Sequence, residues 1–261
     1  MYAPGVGVHP DLPSTFVHFT GRPRGPGDDP PTFADERLDG HLEEIAAATA
    51  RIGRTLAGDS AASDIGAEAR LISILITGTL NGAPVFGTSQ PVLCFSEPSQ
   101  AARRIMLRDG VVDSRGPYAP WGLLFHRDRL IEHGARPALY LSTDEIAATN
   151  DLPTKLRNRR VRYEPGSADW LHEREWRLCF DTNEPPMLAI TQELVAGVIV
   201  GRRDWTPPVL TIRKSWTHTA GARVEQVWSS RSAHGLNRWW WNGEDLVDDG
   251  TIDLDSPDDW S

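Results

Sequence analysis

The sequence predicts an α+β domain, and three observations carry that prediction. Runs of strand length recur along the whole chain, segments with helical spacing separate only some of them, and neither a repeat nor a regular strand-helix alternation is present. At 261 residues, with 39% hydrophobic and 24% charged side chains, the chain is long enough to bury a core as one large domain.

The elements follow in order. Residues 15–20 alternate Phe16, His18 and Thr20 with Val17 and Phe19, the period of a strand. Residues 21–31 hold four prolines and three glycines and read as loop. Helical spacing of Leu42, Ile45 and Ile52 predicts a helix over 39–56, and residues 57–66 are the connection expected to move. A second helix over 67–77 puts Leu71, Ile74 and Leu75 on one face, with Gly78 as its stop. Residues 91–97 read as a buried strand and 100–107 as a short helix. Strands are expected at 122–125 and 138–141 around a helical turn at 127–133, then at 175–180 and 194–200. Residues 209–213 and 224–228 are expected to complete the sheet.

Eight of the 36 acids lie in residues 242–261, which carry no Lys or Arg, so the net charge of -9 is concentrated there and the remainder holds 27 bases against 28 acids. The domain is therefore drawn as 1–241, with 242–261 as an acidic, poorly ordered tail. Trp239, Trp240 and Trp241 just before it would be a sticky patch in water, which favours docking of the chain end onto the domain over a partner-binding role. Residues 155–162 carry five bases in eight, a patch suited to the phosphates of a nucleic acid through Lys155, Arg157, Arg159 and Arg160. The tail could fold back on this patch and compete with a polyanionic target.

No apolar run approaches the roughly 20 residues of a spanning helix, and residues 1–10 lack the features of a signal peptide, so no membrane partner and a cytoplasmic location are expected. Cys94 and Cys179 sit in apolar runs and read as reduced thiols, and the eight histidines have no paired spacing, so no metal site is predicted. A Gly-rich phosphate loop, a G-x-S-x-G elbow and an H-E-x-x-H helix are missing, which removes the commonest nucleotide-binding, hydrolase and zinc-protease readings.

Polar residues embedded in strands remain. Glu173 and Glu175, two apart in a strand, would leave one face, shared with Arg177. Such a pair suits a reaction that develops positive charge on a sugar ring. The plainer alternative is an edge strand whose Glu and Arg pair with each other. His18, with Thr20 on the same side, could hold a ribose hydroxyl or a carboxamide, or could be a core histidine bonded to backbone. Ser96 and Glu97 could serve a site or a turn.

The order of these segments resembles a known family. His-Phe-Thr at 18–20, the helix pattern Leu71, Ile74, Leu75, Gly78, and Cys-Phe-Ser-Glu at 94–97 resemble the front half of bacterial ADP-ribosyltransferase-like domains. Residues 122–125, 134–140, Glu-x-Glu-Trp-Arg at 173–177 and 198–201 look like the rest, with DarT-type DNA-modifying toxins and AbiGi-type phage-resistance proteins as the nearest comparisons. The resemblance spans residues 18–201. It implies a split β-sheet core with flanking helices, a cleft for NAD as substrate, and transfer of ADP-ribose to a nucleic acid or protein by a toxin or phage-defence effector with a cognate antitoxin. Glu175 would be the catalytic carboxylate and Glu173 its neighbour. His18, Thr20 and Ser96 would line the NAD site, with Tyr118 or Tyr140 as an aromatic wall. Neither the early arginine of the Arg-Ser-Glu class nor a clear tyrosine of the His-Tyr-Glu class is evident, so a non-catalytic nucleotide-binding or antitoxin-like module stands as the alternative.

Overall fold

The computed structural model describes residues 13–21, 66–85, 87–109, 117–169, 171–181, 183–209, 211–217 and 223–254. The expected helix at 39–56, most of the loops beside it, Trp170 and residues 255–261 lie outside these. The architecture is α+β, with one large, mostly antiparallel sheet and few helices.

Eight strands make that sheet: β1 (Thr15–Phe19), β3 (Val92–Ser96), β4 (Gly122–His126), β5 (Arg136–Pro137), β8 (Glu175–Cys179), β10 (Val195–Val200), β13 (Asn237–Trp241) and β14 (Leu246–Thr251), in the order β14-β13-β10-β4-β1-β3-β8-β5. Every neighbour pair is antiparallel except β10 with β13. Three two-stranded ribbons flank it: β2 (Thr79–Asn81) with β9 (Met187–Ala189), β6 (Leu139–Leu141) with β7 (Arg160–Arg162), and β11 (Thr211–Thr217) with β12 (Arg223–Ser229). The last ribbon corrects the expectation that these two strands complete the main sheet. They pair with each other over seven residues and, among the described residues, with no strand of the main sheet.

The sheet is thin at one place. β1 pairs with β4 through five residues but with β3 only through Val17 and Ser96. The eight strands thus form one sheet with a narrow joint, and the His18 ring lies beside it, Nδ1 2.9 Å from the Cys94 carbonyl oxygen. On the other side of β1, Gly122 lets the strands close up, since a Cβ there would stand 2.5 Å from the His18 carbonyl oxygen.

Helix α1 (Ala67–Thr77) ends at Gly78, left-handed at φ 65°, whose amide closes on Ile74. Its Leu71, Ile72, Leu75 and Ile76 are buried and join Phe16, Leu93, Phe95, Leu123, Phe125, Val198 and Val200 in the main core. Helix α2 (Gln100–Arg104), capped by the Ser99 side chain, runs into a π-helical turn at Ile105–Asp109. Helices α3 (Arg127–Glu132), α4 (Thr143–Ala148) and α5 (Thr154–Arg157) are short. On the opposite face a smaller cluster forms from Val17, Leu124 and Ile199, with Phe19 and Trp239 against it.

The reading of 242–261 as a poorly ordered tail is corrected as far as residue 254. β14 pairs with β13, and Ile252 and Leu254 enter the main core. The acids misled because their run was read as solvated, whereas Asp249 is the partner of buried Arg238: Oδ2 accepts from Nε at 2.7 Å, and Nη1 donates to the Trp205 carbonyl at 2.9 Å. Asp245 pairs with Arg104 and Gln100 instead of the basic stretch. Among the described residues no helix is long and apolar enough to cross a membrane.

Candidate functional site

The register lines up the candidate residues. Val17 faces Ser96 and Ser96 faces Glu175, while Cys94 faces Arg177, so these side chains share one face of the sheet. Glu175 is buried, and its Oε1 accepts from Arg177 Nε at 2.7 Å. Arg177 Nη1 also donates to the carbonyls of Asn158 at 2.8 Å and Arg160 at 3.1 Å. The Glu175 amide donates to the Tyr140 hydroxyl at 2.7 Å. Burial raises the Tyr140 hydroxyl well above the ordinary phenol value, and burial followed by the charge of Glu175 does the same for the Cys94 thiol.

Glu173 reaches the same neighbourhood by another route than the one expected. It ends a 3-10 turn at Leu171–Glu173, and Arg174, in the left-handed region at φ 45°, separates it from β8. Its Oε1 accepts from the Tyr118 hydroxyl at 2.8 Å, and the Tyr118 ring stacks on Phe19 with centroids 4.7 Å apart. Glu173, Glu175, Ser96, Tyr118 and Tyr140 therefore gather around the β3–β8 end of the sheet.

His18 and Thr20 do not join them. Alternation along β1 turns His18 to the other face, where its ring lies 5.9 Å from that of Phe95. Burial holds the imidazole below its ordinary value, with the bond to Cys94 opposing. The Thr20 hydroxyl is taken up by the carbonyls of Ala67 at 2.6 Å and Trp121 at 3.0 Å. Both side chains are satisfied by backbone carbonyls, Thr20 buried and His18 half-buried.

The basic stretch is largely occupied by bonds within the fold. Arg160 Nη1 donates to the Ile146 carbonyl at 2.9 Å near the end of α4, Lys155 pairs with Asp181 at 2.8 Å, Arg159 Nε reaches the Pro137 carbonyl at 3.0 Å, and Arg157 Nη2 reaches the Thr154 hydroxyl at 3.2 Å.

One constellation was not foreseen. Glu97, read as a site or a turn, is buried and accepts from Arg127 Nε at 2.7 Å and Trp176 Nε1 at 3.0 Å. The Arg127 guanidinium also lies over the rings of Phe16 and Trp176, at 5.7 and 5.3 Å. With both carboxylate oxygens bonded, this is a clamp between β3, α3 and β8. Its sequence signal was the alternation of Phe95 with Glu97, but the arginine comes from a separate element.

No protein-family model, curated protein or solved structure matches the chain.

Proposed function

We propose that the chain is an NAD-dependent ADP-ribosyltransferase on an ADP-ribosyltransferase-like fold, acting as a toxin or phage-defence effector on a nucleic acid or protein. The observation that carries the reading is the gathering of Glu173, Glu175, Ser96, Tyr118 and Tyr140 at one end of β3 and β8. Two carboxylates beside a stacked aromatic pair suit a substrate with a flat ring on a ribose that becomes positively charged as the ring departs. The bond between C1′ of the ribose and the pyridine nitrogen breaks, its electron pair leaving with neutral nicotinamide. An acceptor oxygen or nitrogen bonds to C1′ and gives its proton to Glu173. Glu175, held by Arg177, faces the developing charge. His18 and Thr20 contribute to the frame of this site and not to substrate contact.

A second reading is favoured by one observation. Glu175 is buried and already paired with Arg177, as in a module that binds a nucleotide without consuming it. Incubation with radiolabelled NAD and cell extract, with calorimetry in parallel, separates the two. Transfer or nicotinamide release that falls about 100-fold or more in Glu175→Gln supports the transferase. NAD binding without turnover selects the binding module, and no binding at all rejects both.

A further inference from the structure

β5 covers β8 only at Trp176 and Arg177. Past that short cover the surface opens into a pocket of about 570 Å³, within the size range of small-molecule sites. Leu156, Phe180 and Met187 give it an apolar side, and Arg136, Lys155, Arg159 and Arg177 give it a cationic one.

Two of these cations are matched, Lys155 by Asp181 at 2.8 Å and Arg177 by Glu175 at 2.7 Å. Arg136 and Arg159 have no carboxylate partner among the described residues. Arg136 Nη1 donates to the carbonyls of Ile131 at 2.9 Å and Ala135 at 2.7 Å, and Arg159 Nε donates to Pro137 at 3.0 Å. These bonds direct the guanidiniums without cancelling their charge. Arg159 is held below its ordinary value by burial, with Cys179 opposing and the like charge of Arg136 adding a smaller push the same way. Glu184 is the one carboxylate among the lining residues, and its Oε2 accepts from the Asp181 amide at 3.1 Å. Like charges brought together beside an apolar wall repel unless an anion comes between them, and paired guanidiniums match the oxygens of a phosphate.

We propose that this pocket binds a small phosphorylated molecule, its phosphate between Arg136 and Arg159 and its organic part against Leu156, Phe180 and Met187. The assignment needs no chemistry from Glu173 or Glu175 and stands whether or not the chain is a transferase.

The test titrates the full chain with ADP and, separately, with inorganic phosphate by calorimetry. ADP is expected to bind more tightly than inorganic phosphate. Arg136→Gln and Arg159→Gln should each weaken ADP binding about tenfold or more, with Arg159→Lys falling between. Arg129→Gln, in an exposed pair with Glu132 outside the lining, should match the parent. Location is read from Cys179, which lines the pocket: ADP should slow its alkylation by iodoacetamide, followed by mass spectrometry with Cys94 as reference. Circular dichroism of each variant checks folding, and the alkylation readout in the parent needs no variant. Absence of ADP binding, indifference to both arginine substitutions, or unprotected Cys179 overturns the site. Inorganic phosphate binding as tightly as ADP overturns the organic half of the ligand.

Discussion

At the scale of single residues, His18 carries a sharp consequence. Its folded-state affinity for protons is lowered by burial, so the neutral ring is the form that suits the fold. The stability it contributes is present above the ordinary imidazole value of 6.5 and is lost as pH falls below it. His18→Gln removes the titration while keeping a donor for the Cys94 carbonyl. Between about pH 7.5 and about pH 5.5 the urea midpoint of the parent should therefore fall further than that of the variant. Equal falls would mean that His18 protonates freely in the folded protein. The same residue marks a limit of sequence reading. Val-His-Phe at 17–19 is compatible with a site histidine and with a structural one, and only the register of β1 against β3 and of β3 against β8, set by contacts 76 or more residues away, turns it from Glu175. Glu175 and Arg177 were easier to place, because a separation of two within one strand puts both on one face before any partner is known.

Elements were legible where one local pattern decides them. The α1 helix was readable from its apolar spacing and Gly78, β1, β3, β4 and β10 from their Val, Leu, Ile and Phe, and β8 from Trp176 and Leu178 alternating with Glu175 and Arg177. β2, β5, β7 and β9, at two or three residues each, are too short to carry a period. β14 was hidden by its acids: Asp248 is exposed on this edge strand, where a charge discourages pairing with another chain, while Asp249 turns to Arg238. Packing at the element scale gives a second test. β4 runs between β1 and β10, and its Gly122 faces Phe19 and Ile199. A methyl group there meets the His18 carbonyl, backbone that cannot swing aside. Gly122→Ala is expected to destabilise the domain by about 1–3 kcal/mol in urea unfolding. An unchanged midpoint would mean that β1 and β4 separate at little cost.

For the whole molecule, the division into a neutral body and an acidic appendix does not survive. Asp249 answers Arg238, and Ile252 and Leu254 fill the core under β13, so this part of the acidic segment closes the sheet. A chain ended after Trp241 would lose β14, leave Arg238 buried without its carboxylate, and strip two apolar side chains from the core. It should lose about 3 kcal/mol or more and melt well below the parent. If its thermal midpoint equals that of the full chain, residues 242–254 contribute nothing to the fold. Composition could not reveal this, because eight acids without a base look the same in water as they do when one of them neutralises a buried arginine.

Arg177 belongs to two places at once: its Nε holds Glu175, and the residue is among those that line the pocket behind β8. A buried residue placed in this way would couple its two sides if both took a ligand. On the proposed readings, an anion that reached past Arg136 and Arg159 to draw on Arg177 would weaken its hold on Glu175, and by reciprocity a substrate that drew on Glu175 would free Arg177 for the anion. The two sites would then read each other's occupancy through a single side chain, with no strand or helix having to move.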